Sequence, residues 1–191
     1  MNKLEGIKAL EELGIPTVKI LDISKIIKGE IPINEKGLSI RTSPKDEKGR
    51  NVYLPSIHGC KDINKIKKFI EENQKYNIFA HETVNPEIIG SISKIKANNM
   101  IIIETYKDFE NRKNEKIENR ASIPIYNDKL WISKFEMLNK DENDFYNFEK
   151  VIRYLRYIPY NEYDAEFVIE NRKVIFTELT FQKERETELY I

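Results

Sequence analysis

The chain has little of what several protein classes require. Cysteine is reduced to Cys60, which excludes an internal disulfide framework. No apolar run approaches the roughly 18 residues that a membrane-spanning helix needs. The opening Met-Asn-Lys-Leu-Glu-Gly-Ile-Lys lacks the apolar segment of a secretory signal, so a soluble, cytoplasmic protein is expected. Net charge is missing too: 32 Lys and Arg stand against 32 Asp and Glu. A dedicated nucleic-acid binder would carry a basic excess or patch, and a polybasic membrane anchor a cationic cluster; neither is expected here. Glycine is absent after Gly90, which confines glycine-dependent turns to the first half. Glutamine occurs twice, beside abundant Lys, Glu and Ile, a bias compatible with a hyperthermophilic source and equally with an AT-rich genome.

What is present is enough apolar material for a core, 40% of 191 residues, in one domain or one domain of two lobes. Leu4, Ile7 and Leu10 share a helical face over Lys3 to Leu13, and Gly14 and Pro16 stop that helix. Thr17 to Leu21 reads as a strand, and Asp22 as the cap of a short helix ending at Gly29. Leu38 to Ser43 is a strand that opens into a polar loop, Pro44 to Asn51. Asp62 caps a helix running to about Tyr76. Strands follow over 77–84, 91–95 and 100–106, with a turn at 86–90 and a charged loop over 107–120. Ala121 to Tyr126 and Lys129 to Phe135 flank Asn127-Asp128, a two-residue turn by composition. Asp141 to about Pro159 is an aromatic-rich helix through Phe145, Phe148, Ile152 and Leu155. The pattern is α+β, two helix-bearing sheets in series with a boundary near Lys75 to Asn77, dividing an N-terminal lobe 1–76 from a C-terminal lobe 77–191.

The chain's last predicted hairpin carries the chemistry. Two strands, from Tyr163 and up to Thr180, surround a polar turn, and acids interrupt both: Asp164 and Glu166 on the first, Glu178 on the second. Side chains alternate along a strand, so parity decides which acids meet. A two-residue Asn171-Arg172 turn sets Glu166 opposite Thr177 and Glu178 opposite Ala165, on opposite faces. A three- or five-residue loop gathers Asp164, Glu166, Glu178 and Thr180 on one face. A shared divalent cation therefore demands an odd loop. Spacing leaves two readings open, a metal-holding face and a solvated face whose acids pair with Lys and Arg.

The segment from Glu166-Phe-Val-Ile to Val174-Ile-Phe-Thr-Glu178-Leu-Thr180 resembles the closing hairpin of the ATP-grasp superfamily, in which acids on both strands hold Mg²⁺ against ATP phosphates. By that resemblance Glu166, Glu178 and Thr180 are the metal ligands, Thr180 standing where Asn is usual. Gly14-Ile-Pro-Thr17 resembles a common opening of these proteins. Leu38-Ser-Ile-Arg41-Thr-Ser43 resembles the Val-Arg-Ser-Ser strand in the nucleotide-binding domain of phosphoenolpyruvate synthase and pyruvate phosphate dikinase. This implies phosphate contacts by Arg41, with Ser43 and the loop cations Lys45, Lys48 and Arg50 beside it. Ile78-Phe-Ala-His-Glu82-Thr-Val84 resembles the hinge strand against adenine; backbone groups near Ala80 to Val84 would bond the base, with Glu82 on the ribose. Pro86 to Ser91 resembles the turn after the hinge, and Ile101-Ile-Ile-Glu104 the next strand, ending in a cofactor-facing Glu104.

Beside the resemblance, a guanidinium, hydroxyls and nearby cations are what a triphosphate needs. His58-Gly-Cys60 offers too few ligands for structural zinc; it reads either as loop residues or as a Cys–His nucleophile pair, and within the ATP-grasp reading His58 joins Arg41 as a candidate catalytic contact. The expected function is an ATP- and Mg²⁺-binding protein, acting as a phosphotransferase or a carboxylate–amine ligase. The alternative is a non-catalytic regulatory or partner-binding module that keeps the fold, suggested by Thr180 and by the lack of a Gly-rich loop after Glu104. Expected partners are a nucleotide and a small-molecule acceptor, with a homodimer or a partner protein as the candidate assembly.

Overall fold

A computed structural model describes residues 2–45, 54–95, 100–114, 116–126, 129–130, 136–137, 142–159 and 162–181. Lys48, Arg50, the Asn127-Asp128 turn and most of the strand expected over 129–135 lie outside the described residues. Among the described residues no helix is long and apolar enough to cross a membrane. The elements are α1 Lys3–Glu12, α2 Ile23–Ile27, β1 Leu38–Ser43, β2 Ser56–Cys60, α3 Ile63–Glu72, β3 Asn77–Glu82, β4 Ile88–Ile95, β5 Met100–Tyr106, α4 Phe109–Lys113, β6 Asn119–Tyr126, β7 Lys129–Leu130, β8 Glu136–Met137, α5 Glu142–Leu155, β9 Tyr163–Glu170 and β10 Lys173–Phe181.

The fold is α+β with two antiparallel sheets. The small sheet has the order β2-β1-β3 and the large one β10-β9-β4-β5-β6-β7, with β8 also paired to β6. Chain order and sheet membership part at both ends of the expected first lobe. β3 pairs with β1 from Leu38↔Glu82 to Ser43↔Asn77, so the strand expected as the hinge of the second lobe belongs to the small sheet. α1, first in the chain, packs on β10 of the large sheet.

Local chemistry sets the helices. Asn2 caps α1 in a reciprocal box with Glu5. Asp22 and Asp62 accept the first free N–H groups of α2 and α3. α3 ends at Glu72, short of Tyr76, with Asn73 at its cap. Three apolar clusters follow. The largest places Ile92, Ile101, Ile103, Ala121, Ile123, Phe167, Phe176 and Leu179 of the large sheet against Phe148, Val151, Ile152 and Leu155 of α5. The second fills the small lobe with Ile26, Leu38, Ile40, Ile66, Phe69 and Ala80. The third joins the lobes through Ile7, Val18 and Phe79.

Four expectations are corrected. Thr17 to Leu21 is not a continuous strand: it bridges the lobes at Thr17↔Phe176 and Leu21↔Ala80, serving one sheet at each end. His58 to Cys60 is strand β2, whose polar, largely exposed residues hid it. The charged loop over 107–120 contains α4, capped by Asp108, and the start of β6. β4 begins within the expected turn, at Ile88, and Gly90 is a strand residue opposite Phe167. There a Cβ would lie 2.1 Å from the buried Phe167 ring. Gly90→Ala is accordingly expected to destabilise the fold by about 2 kcal/mol, as overpacked cores do. Urea unfolding checks it, and the added change Phe167→Leu should recover most of the loss.

The largest correction concerns the last hairpin. Its turn is the two-residue one, Asn171 and Arg172 at φ 50° and 62°, the left-handed pair of a type I′ hairpin. Pairing runs in even register as far as Phe176↔Phe167, then shifts, so that Glu178 pairs with Glu166 and Leu179 with Ala165. Thr177 is the extra residue of a β-bulge. An odd loop is therefore not required: the bulge supplies the missing residue within the strand.

Candidate functional site

Because of the bulge, one row of polar side chains crosses the large sheet on the face opposite its core. Glu178 of β10 is opposite Glu166 of β9, Glu166 opposite Ser91 of β4, Ser91 opposite Glu104 of β5, and Glu104 opposite Arg120 of β6. Directly paired residues share a face, so the row follows from register alone. Two residues along, Ser93 donates to Asp164 at 2.7 Å, and the Thr180 hydroxyl donates to the Asp164 carbonyl at 3.3 Å.

Adjacent carboxylates repel unless cations intervene. Here three do. Lys3, at the start of α1, lies 2.7 Å from Glu178 Oε2. Arg41 of β1 reaches the same oxygen at 3.2 Å and donates from its other terminal nitrogen to the carbonyl of the bulged Thr177 at 3.3 Å. Arg112 of α4 donates to Glu166 Oε1. The Glu178 side chain is 11% exposed and that of Glu166 26%. Burial pushes the Glu166 carboxyl up, but the Arg112 hydrogen bond and charge, with Lys3 and Arg41 behind them, hold it below its usual range. Farther along the row, Glu104 accepts from Arg120 Nε at 2.9 Å and from the Tyr106 hydroxyl at 2.8 Å.

The structure thus brings together Arg41, Glu166 and Glu178, with Glu104 in the same row and Thr180 one step along the same face of β10. The other candidates lie elsewhere. Ser43 is fully buried, its hydroxyl without a partner among the described residues. Lys45 turns to the Gln74 carbonyl at 2.9 Å, past the end of α3. Glu82 is exposed at the end of β3, and Val84 packs against the cluster that joins the lobes. Several hinge backbone groups are already engaged: Ala80 O accepts from Leu21 N at 2.8 Å, and Thr83 N donates to Gly37 O at 3.1 Å. Among the described residues no three His, Cys, Asp or Glu side chains converge as a ready-made cation site.

His58 sits between Ser39 and Ser56, 3.2 Å from each hydroxyl; partial loss of solvent around its ring, followed by the Arg41 charge, lowers its pKa. On β3, across β1 from His58, His81 donates from Nδ1 to the Glu82 carbonyl at 2.8 Å, which leaves Nε2 as a buried acceptor. Burial, with Arg41 and His58 adding to it, lowers the His81 pKa to about 4 against the hydrogen bond that raises it. The unfolded chain takes up this proton near pH 6.5, and the folded one not until about pH 4. Stability present above pH 6.5 is therefore lost as pH falls toward 4, by about 3 kcal/mol in all. Urea unfolding at pH 7 and pH 4.5 is expected to give a smaller difference in His81→Asn than in the native chain; equal differences would exclude His81 as the source.

Sequence reasoning missed Lys3 and Arg112. Lys3 reaches the site only because α1 packs on β10. Arg112 lies in the charged segment that reads as a loop, although Asp108 followed by Glu110 is a helix-start signal that marks α4.

No family model and no curated protein matches this sequence. Solved structures do match its fold. The chain is similar to N5-carboxyaminoimidazole synthetase from Staphylococcus aureus at 16% identity and a TM-score of 0.51, over 95% of this chain and 44% of that one. It is similar to carboxyaminoimidazole ribonucleotide synthase from Aspergillus clavatus, complexed with ATP, at 12% identity and 0.50, over 93% and 43%. It thus spans less than half the length of either. A dinucleotide forming acetyl-coenzyme A synthetase 1 from Ca. Korarchaeum cryptofilum, in complex with coenzyme A and Ca-AMPCP, matches at 9% identity and 0.54, over 94% of this chain and 91% of that one. These likenesses show the fold of this chain, α+β and ATP-grasp-like.

Proposed function

We propose that the chain binds ATP together with Mg²⁺ on the polar row, where Arg41 of the small sheet meets Glu178 of the large one. The observation that carries this reading is the bulge at Thr177, which sets two carboxylates side by side under three cationic side chains. The residues fit both parts of the ligand. Glu166 and Glu178 supply the hard oxygen ligands that Mg²⁺ takes, and Thr180 and Asp164 border them. Lys3, Arg41 and Arg112 supply charge and forked donors for phosphate oxygens. Bound there, the metal would neutralise charge on the phosphates. Arg41 is held on its strand and, through the Thr177 carbonyl, against the bulge, so its guanidinium would be pre-positioned beside the carboxylates that would hold the metal.

The reaction class that suits this site is transfer of the terminal phosphoryl group to an acceptor, with a carboxylate acceptor leading on to ligation with an amine. The finer likeness to the dikinase nucleotide-binding domain rests on Arg41 and its strand. A second reading, a binding module without turnover, is favoured by Glu104, which Arg120 and Tyr106 already engage. Thermal unfolding tests the common core of both. ATP with Mg²⁺, at about 100 times its dissociation constant, should add about 2.7 kcal/mol of stability, and either component alone much less. Equal midpoints in all conditions would refute it. Release of ADP on adding candidate acceptors then separates enzyme from module.

A further inference from the structure

The connection between β5 and β6 is built to deliver one side chain. Asp108 opens α4 by accepting Asn111 N–H at 2.7 Å. Lys116 N–H closes its other end on Asn111 O at 2.8 Å, and Glu118 N–H returns the chain to Thr105 O at 2.9 Å. Within this folded connection Arg112 is two-thirds or more covered, its guanidinium on Glu166 Oε1 and within the field of Glu178 and Tyr106. Lys3 and Arg41 hold Glu178. Three cations thus face two carboxylates, with the Asp164 carboxylate two residues along the same face.

A bare divalent cation meets two obstacles there. Arg112 already occupies one Glu166 oxygen, Oε1, and the cation's own charge meets three positive side chains in a half-buried place, where like charges are weakly screened. A polyphosphate removes both. It gives Arg112 oxygens that match its fork as well as a carboxylate does, and its negative charge offsets that of the three cations. Resting on the function proposed above, we infer that Arg112 is an internal counter-ion that occupies Glu166 until phosphate draws it away. It makes divalent-cation binding depend on the nucleotide, so the metal enters with the phosphates and not before them.

Electron paramagnetic resonance of Mn²⁺ tests this with the full chain. Wild type should leave Mn²⁺ free in the absence of ATP and bind it when ATP is added. Arg112→Gln should bind Mn²⁺ alone about 10- to 100-fold more tightly than wild type, the scale on which groups bonded to ligands alter metal affinity. Arg112→Lys, which keeps a cation, should gain much less, and Glu166→Gln in the Arg112→Gln background should abolish the gain. Equal Mn²⁺ affinity in wild type and Arg112→Gln, with both folded by circular dichroism, overturns the inference. Wild type that fails to bind Mn²⁺ with ATP overturns the proposed function instead, and the Arg112→Gln comparison still decides whether Arg112 competes for Glu166.

Discussion

Glu178→Gln is expected to weaken Mg²⁺-dependent ATP binding by about 100-fold and to lower folding stability by about 3 kcal/mol. Both effects have one cause. A single oxygen of Glu178 receives Lys3 at 2.7 Å and Arg41 at 3.2 Å, and the side chain is 11% exposed. Glutamine keeps the shape but leaves two cations facing each other with no anion between them, in a place where water screens poorly. Glu104→Gln is the control from the same row. It deprives only Arg120, half-exposed and free to turn to solvent, of its anion, and the Tyr106 hydroxyl can still bond the amide, so its cost should stay below about 1 kcal/mol. Urea unfolding and nucleotide titration of both variants check the pair. A Glu178→Gln protein as stable as Glu104→Gln would mean that Lys3 and Arg41 do not depend on Glu178.

Gly6→Ala is expected to be the most damaging single-methyl change in α1. A Cβ at position 6 would lie 1.8 Å from the carbonyl oxygen of Leu179 and 2.9 Å from its carbon. Both are backbone atoms of β10, just past the bulge, and neither can rotate aside. The helix must lift, opening the packing of Ile7 and Leu10 and carrying Lys3 away from Glu178. A stability loss of about 3 kcal/mol follows, at the upper end of the overpacking range, with weaker ATP binding beside it. Lys3→Met removes the ion pair without moving the helix, and Lys3 is partly exposed, so that variant should lose about 1 kcal/mol or less. Unfolding midpoints separate the two. A Gly6→Ala chain as stable as the native one would contradict the seating of α1 on β10.

These two cases mark what could be read from the sequence. The helices were legible because their signals are local: Asp22 and Asp62 cap where expected, and the Leu4, Ile7, Leu10 stripe lies on α1. The final strands were legible from their β-branched and aromatic runs, and the acids on them stood out because carboxylates are costly on a half-buried sheet. The parity of those acids was not legible. Alternation counted from Asn171-Arg172 puts Glu178 on the wrong face, and only the extra residue at Thr177 corrects it. What holds that bulge lies far away in sequence: the Arg41 donor on the Thr177 carbonyl, and Gly6 against Leu179. For the same reason Lys3 and Arg112 stayed hidden. Nothing within a few residues of either lysine or arginine announces a carboxylate partner more than fifty positions on.

We propose that Glu166 and Glu178, brought side by side by the bulge, hold a divalent cation against a nucleotide's phosphates. Calorimetric titration of the native chain with ATP, in Mg²⁺ and again in EDTA, tests it most directly, with the Glu166→Gln, Glu178→Gln double variant run beside it. Saturable binding in Mg²⁺, at least tenfold weaker in EDTA and lost with both carboxylates, is the result the arrangement requires. Binding equally tight in EDTA, or binding in Mg²⁺ that the double variant retains, would contradict it.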